Sequence, residues 1–250
     1  GTYLLSQLEK LAEEYSNISN ARGKGLFCAF DLPSGDDRDV LVNLIAKEGA
    51  LILGCGLKSI RFRPHLNITD GAKIPDLRGS YAFDDEGTPS SITPLIREGV
   101  LVGRLHSKET AEKMSETPTG NARAISYGFS PIVRMTNTII ENGENSKEEL
   151  FEDTKDGLYV KNWYGGMTEH EMFTFASAET YKIKNGKVTD TVRPVKLSGN
   201  LFKTLKNIDG IANDLEINQG GGCGKGGQSP LPVSNGSPHI RINKTLVSPG

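Results

Sequence analysis

Near residue 70 the chain changes its periodicity, and that break limits the folds open to it. Before it, helical and extended patterns alternate. "YLLSQLEKLAEEY" (3–15) sets Leu4, Leu8, Leu11, Ala12 and Tyr15 on one helical face. The mostly apolar "GLFCAFDL" reads as a strand. "DDRDVLVNLIAKEG" predicts a second helix, with acidic residues in its first turn, apolar Val40, Leu41, Leu44 and Ile45, and a closing Gly49. "ALIL" and "SIRFRPHLNI" predict short strands. Residues 1–70 are therefore expected to form a small α/β subdomain, and 71–78 a joint. Residues 79–250 read as strand and turn. "TPLIREGVLVGRL" and "ETYKIKNGKVTDTVRPVKL" predict hairpins, the second turning at Asn185-Gly186. A helix is expected to start at Ser146, where Glu149 completes a capping-box pattern, and another over "NLFKTLKNID". No internal repeat occurs. The expected class is α+β, a small α/β subdomain followed by a β-rich domain.

With 250 residues and 36% hydrophobic side chains, the chain can bury a core. Its net charge of −2 carries no basic excess, so neither nucleic acid nor an anionic membrane surface is an expected partner. No apolar run reaches the length of a membrane span. The first fifteen residues lack the basic-then-apolar layout of a signal peptide. The chain opens on Gly1 rather than methionine, so a processed chain or a fragment is expected. Three widely spaced cysteines, Cys28, Cys55 and Cys223, fit neither a disulfide framework nor a Cys-x-x-Cys zinc site. A reducing cytoplasm is the expected compartment, and Cys28 is expected to be a small buried apolar group.

Two stretches carry resemblances. "SNARGKGLFCAFDLPS" (19–34), "LILGCGLKSIRFRPHLNIT" (51–69) and the helix between them resemble the C-terminal subdomain of class III aminotransferases, especially the lysine 6- and 4-aminobutyrate enzymes. The resemblance covers about residues 3–69. It implies that Arg61, the first arginine of "IRFRP", matches a residue that holds the substrate carboxylate with a guanidinium fork. The cofactor domain and its Schiff-base lysine have no counterpart in these 250 residues. Arg61 is then a vestigial substrate-binding residue, no pyridoxal phosphate is expected, and transamination is not. The alternative is that Arg61 and Arg63 are ordinary charges on an exposed strand face.

The second resemblance is to the C-terminal domain of the TldD/PmbA zinc metallopeptidases, over about residues 77–247. It rests on "GSYAFDDEGTPSS" (79–91), "LIREGVLVGRL" (95–105), "PTGNARAISY" (118–127), "RMTNTIIENGENSKEEL" (134–150), "DGLYVKNWYGG" (156–166), "SGN" (198–200), "IANDLE" (211–216) and "CGKGGQS" (223–229). The last is closer to the TldD branch. There it implies that Cys223 is a zinc ligand beside two histidines of an HExxxH helix, whose glutamate is the general base. Three protein ligands leave a position for an activated water. No HExxxH occurs in this sequence, and His65, His106, His170 and His239 lack ligand spacing. The resemblance thus implies a metallopeptidase domain with an incomplete zinc site, inactive alone. Its implied partners are peptides or unfolded segments and a TldD/PmbA-type dimer subunit. A non-catalytic peptide-binding or assembly module, or a fused or truncated reading frame without function, are the other readings.

Other features read as structural. Asp84, Asp85 and Glu86 sit between a strand and "GTP", as in a turn. Glu169, His170 and Glu171 in "TEHEMF" suit a solvated loop. "GGGCGKGGQS" (220–229) lacks the phosphate-loop spacing, and its glycines favour neither helix nor strand.

Overall fold

The computed structural model describes residues 2–24, 27–48, 52–62 and 66–250. Gly49, Arg63 and His65 lie outside the described residues. In chain order the elements are α1 (Thr2–Glu14), β1 (Ser19–Lys24), β2 (Phe27–Asp31), α2 (Gly35–Lys47), β3 (Leu53–Cys55), β4 (Ser59–Arg61), β5 (Ile68–Gly71), β6 (Ile92–Arg97), β7 (Val100–Leu101), α3 (Lys108–Met114), β8 (Ala122–Arg123), β9 (Ile132–Val133), β10 (Asn137–Ile140) and α4 (Lys147–Glu152). They continue with β11 (Asp156–Glu169), β12 (Met172–Lys184), β13 (Lys187–Val192), β14 (Val195–Asn200), α5 (Leu201–Lys206), β15 (Ile208–Ile211), β16 (Glu216–Asn218), β17 (Gly222–Lys225), β18 (Gln228–Pro232), β19 (Ser234–Ser237), β20 (Ile240–Ile242) and β21 (Leu246–Pro249). The protein is β-rich with few helices. It packs as two compact units, one from residues 1–64, 149–210 and 241–250, the other from 65–148 and 211–240.

In the first unit, β1, β2, β4 and β3 form an antiparallel sheet in that order. Cys28, Phe30 and Leu32 alternate along β2 and its end, so they share a face. With Leu8 of α1 and Ile60 of β4 they make a buried apolar cluster, flanked by Leu4, Leu5, Leu41, Val42 and Phe62. Cys28 is fully buried, and that burial pushes its thiol pKa up. The helical periodicity holds, but the buried stripe is narrower than the sequence implies. Leu11 and Tyr15 are exposed, and so are Val40 and Leu44 on α2, because Leu41 and Val42 face the cluster instead.

The unit's second sheet runs β11-β12-β14-β21, with β13 also on β12. The expected hairpin turns at Asn185 (φ 49°) and Gly186 (φ 77°) between β12 and β13. Both angles are left-handed, as a type I′ turn requires. Glu169, His170 and Glu171 close the β11–β12 hairpin and are exposed, as expected of that stretch. Residue 146 stands immediately before α4, at the expected start.

In the second unit a six-stranded sheet has the order β16-β19-β10-β5-β6-β7, with only the β10–β19 pair parallel among the described pairings. The β6–β7 hairpin is the other predicted one; Glu98 and Gly99 turn it. Asp70 of β5 is 1% exposed and accepts four hydrogen bonds across to β10 and beyond: from Thr136 N (2.8 Å), Thr136 Oγ1 (2.7 Å), Thr138 Oγ1 (2.7 Å) and Asn121 Nδ2 (3.0 Å). A buried carboxylate persists only where donors surround it in this way.

Candidate functional site

The glycine-rich stretch around Cys223 is extended, contrary to the expectation that it suits neither helix nor strand. β17 and β18 pair antiparallel, with Cys223 opposite Leu231 and Lys225 opposite Gln228. Gly226 (φ 58°) and Gly227 (φ 75°) make the two-residue turn, which L side chains other than Asn or Asp resist. Glycine therefore serves the turn, and tertiary partners supply what strand propensity does not. The register shifts between Cys223 and Lys225, which interrupts the ladder beside the cysteine.

Side chains from residues 122–136 take over where the ladder fails. Arg134, 1% exposed, extends Nη2 to the carbonyl oxygens of Cys223 (2.6 Å) and Gln228 (3.2 Å), one on each strand. Its Nε and Nη1 are buried with no hydrogen-bond partner among the described residues. Arg123 donates to Pro232 O (2.8 Å) and Met135 O (2.8 Å). Gln228, also buried, accepts from Ile125 N (2.9 Å) and donates to Ser130 O (3.0 Å). Lys225 Nζ donates to Val133 O (2.8 Å). Cys223 itself is half-buried and free of any disulfide.

Two basic groups therefore lie under the hairpin. The Arg123 guanidinium stands over the Tyr81 ring, 5.1 Å from its centroid. Burial lowers the Arg123 pKa, and the neighbouring Arg134 cation adds to that lowering. Burial raises the Tyr81 phenol well above its usual range, and its hydroxyl donates to Gly120 O (2.8 Å).

No cluster of three or more His, Cys, Asp or Glu side chains suited to a metal surrounds Cys223 or any other point among the described residues. The donors among the described residues therefore do not fit a three-ligand zinc centre. His106 is buried and bonded through Nε2 to Glu116 (2.8 Å) and through Nδ1 to Thr110 (3.1 Å), at the start of α3. His239 pairs through Nδ1 with Asp214 (2.7 Å). Burial opposes ionisation of Asp214, yet the His239 backbone N–H and ring hold its pKa below the usual range. The acidic run is a turn, as its sequence suggests. Asp84 accepts from the backbone N–H groups of Glu86 (3.0 Å), Thr88 (2.8 Å) and Ala122 (3.0 Å), and Asp85 from that of Ala124 (2.7 Å).

Arg61 lies in the other unit. It is half-buried on β4, an interior strand with β2 and β3 on either side. With Cys55, Asp209 and Lys244 it lines a polar cavity of about 290 Å³. The structure thus places the two sequence-predicted site residues, Arg61 and Cys223, in different units. Arg134, Arg123 and Gln228 are the site residues that sequence reasoning missed. The only signal for them is that they fall within quoted motifs, "RMTN", "GNAR" and "CGKGGQ".

A β-rich domain bearing a cysteine hairpin is the class of fold this arrangement defines. The model of the PmbA/TldA metallopeptidase C-terminal domain matches residues 51–249, and the chain belongs to that family. A metalloprotease of Synechocystis is 54% identical over 184 residues, which are 74% of this chain and 40% of that protein. A zinc metalloprotease TldD homologue of Saccharolobus solfataricus is 36% identical over 184 residues, 73% of this chain and 41% of that one. The chain spans about 40% of the length of the curated relatives it matches. TldE from Thermococcus kodakarensis shares the fold, with a TM-score of 0.58 at 19% identity over 73% of this chain and 39% of that chain. A model of class III aminotransferases matches residues 1–74.

Proposed function

We propose that this chain is the cysteine-bearing domain of a TldD/PmbA-type metallopeptidase, holding one zinc ligand, Cys223, and not hydrolysing peptides by itself. The observation that supports this is the CGKGGQ hairpin held by Arg134 and Gln228 with no group of three or more metal-donor side chains around it among the described residues. A metallopeptidase needs both a complete ligand set and a general base, and the HExxxH that would supply them is absent from this sequence. Zinc is the metal named for one relative. The substrates proposed for the completed enzyme are peptides or unfolded segments, and the proposed partner is a TldD/PmbA-type subunit. Three free cysteines suit a reducing, cytoplasmic setting. No helix among the described residues is long and apolar enough to cross a membrane.

We further propose that residues 1–70 derive from the C-terminal subdomain of a class III aminotransferase, joined through 71–78 to the TldD-like domain over 79–250. The match to residues 1–74 supports this, and Arg61 would be a vestige of a carboxylate site. The test of the main reading measures zinc by elemental analysis of the purified chain and cleavage of a peptide panel. Substoichiometric zinc and no cleavage are expected. One zinc per chain with chelator-sensitive cleavage would overturn it.

A further inference from the structure

Arg134 is the least expected residue of the second unit. A guanidinium 1% exposed is costly to bury, and a well-packed apolar side chain of similar size is usually no less stable in such a place. Here the cost is not fully offset, since Nε and Nη1 are buried without acceptors among the described residues. The one nitrogen that is used, Nη2, bridges the Cys223 and Gln228 carbonyls at the point where the β17–β18 register slips. A residue kept for general stability would satisfy its own donors first. This one is placed to close the break in the ladder beside the cysteine.

We propose that Arg134 is the positioning residue of Cys223: its guanidinium replaces the interrupted ladder and fixes the backbone that carries the thiol. The contacts of Arg123, Lys225 and the Gln228 side chain hold the hairpin to residues 123–133 from outside. Arg134 ties the two strands to each other. The inference rests on reading Cys223 as a functional group, but its test needs neither metal nor activity, so the two can fail separately.

The experiment compares the full chain with R134K and R134M by hydrogen exchange and by N-ethylmaleimide labelling read by mass spectrometry. Loss of a hydrogen bond or two is worth about tenfold in local opening. In R134M, amides of residues 222–231 should exchange about tenfold faster and Cys223 should label faster by a similar factor, while Cys55 and the amides of β12 stay within about twofold. R134K, with one compact ammonium in place of the planar fork, should fall between, at roughly threefold. If exchange in the hairpin is unchanged in R134M, or rises in parallel with β12 and Cys55, the positioning role is refuted. Should R134M fail to fold, R134K decides: a hairpin-confined increase supports the role, and exchange equal to wild type overturns it.

Discussion

Replacing Asp70 with asparagine should destabilise the second unit far more than a typical polar substitution. Asp70 is buried at 1% exposure and receives four hydrogen bonds at 2.7–3.0 Å, two on each carboxylate oxygen. Asparagine keeps one oxygen and presents an NH₂ donor to the donors that met the other. Two hydrogen bonds to the carboxylate are then lost, each worth about 1.5–3 kcal/mol, and one N–H is left facing a donor, while the threonine hydroxyl beside it can turn to accept. A destabilisation of about 3–5 kcal/mol follows, against a typical total of about 5–15 kcal/mol. At 2–4 °C per kcal/mol for a chain of this size, the melting temperature should fall by roughly 6–20 °C. Urea denaturation of wild type and D70N, followed by near-UV circular dichroism, measures it. A loss below about 1 kcal/mol would mean that the network contributes no more than an exposed polar contact, and would refute the reasoning.

Asp31 gives a prediction in pH. The Ser59 hydroxyl (2.5 Å) foremost, with Asn20 (2.9 Å) and Arg22 (2.9 Å), lowers its pKa from 3.8 to about 2. The depressed value means a stabilisation of about 2 kcal/mol, fully present above pH 4 and lost as the pH falls through about 2; D31N should lose it at neutral pH and flatten the acid limb of a stability-versus-pH series. Gly186→Ala should cost about 1–3 kcal/mol in thermal unfolding, because φ is 77° and the new Cβ would meet Glu152 Cα at 2.9 Å. Ser107→Ala removes the N-cap of α3, whose hydroxyl accepts from Thr110 N (3.2 Å), and should lower stability by about 1 kcal/mol by the same measurement.

The two predicted hairpins were legible because Asn185-Gly186 and Gly99 suit the left-handed backbone angles of their turns, although distant acceptors also hold them, Thr154 O for the Gly186 N–H and Asn67 Oδ1 for the Glu98 N–H. The α5 helix followed likewise from a short run capped by Asn200, but it ends at Lys206, and Ile208 and Asp209 of the expected stretch lie in β15. The cysteine hairpin was legible only as a motif. Its glycines give no strand signal, and the groups that make it extended lie about 90 residues or more away in sequence, in Val133, Arg134 and Ser130. Arg134 was invisible for the same reason. Between Val133 and Met135 an arginine reads as an outward charge on a strand, and only the tertiary fold turns it inward. The buried stripes of α1 and α2 were misjudged in width, since periodicity gives a face but not how much of it a neighbour covers.

The way the two units divide the chain has a consequence for cutting it. The exposed His170–Glu171 turn separates residues 1–170 from 171–250, and each piece then holds part of both units. The apolar cluster around Leu8, Cys28 and Ile60 stays in the first piece, but the six-stranded sheet and the β11-β12-β14-β21 sheet are each divided between the two. A nick there would leave two polypeptides that must find each other to regain structure, which makes this turn a natural place to split the protein for complementation.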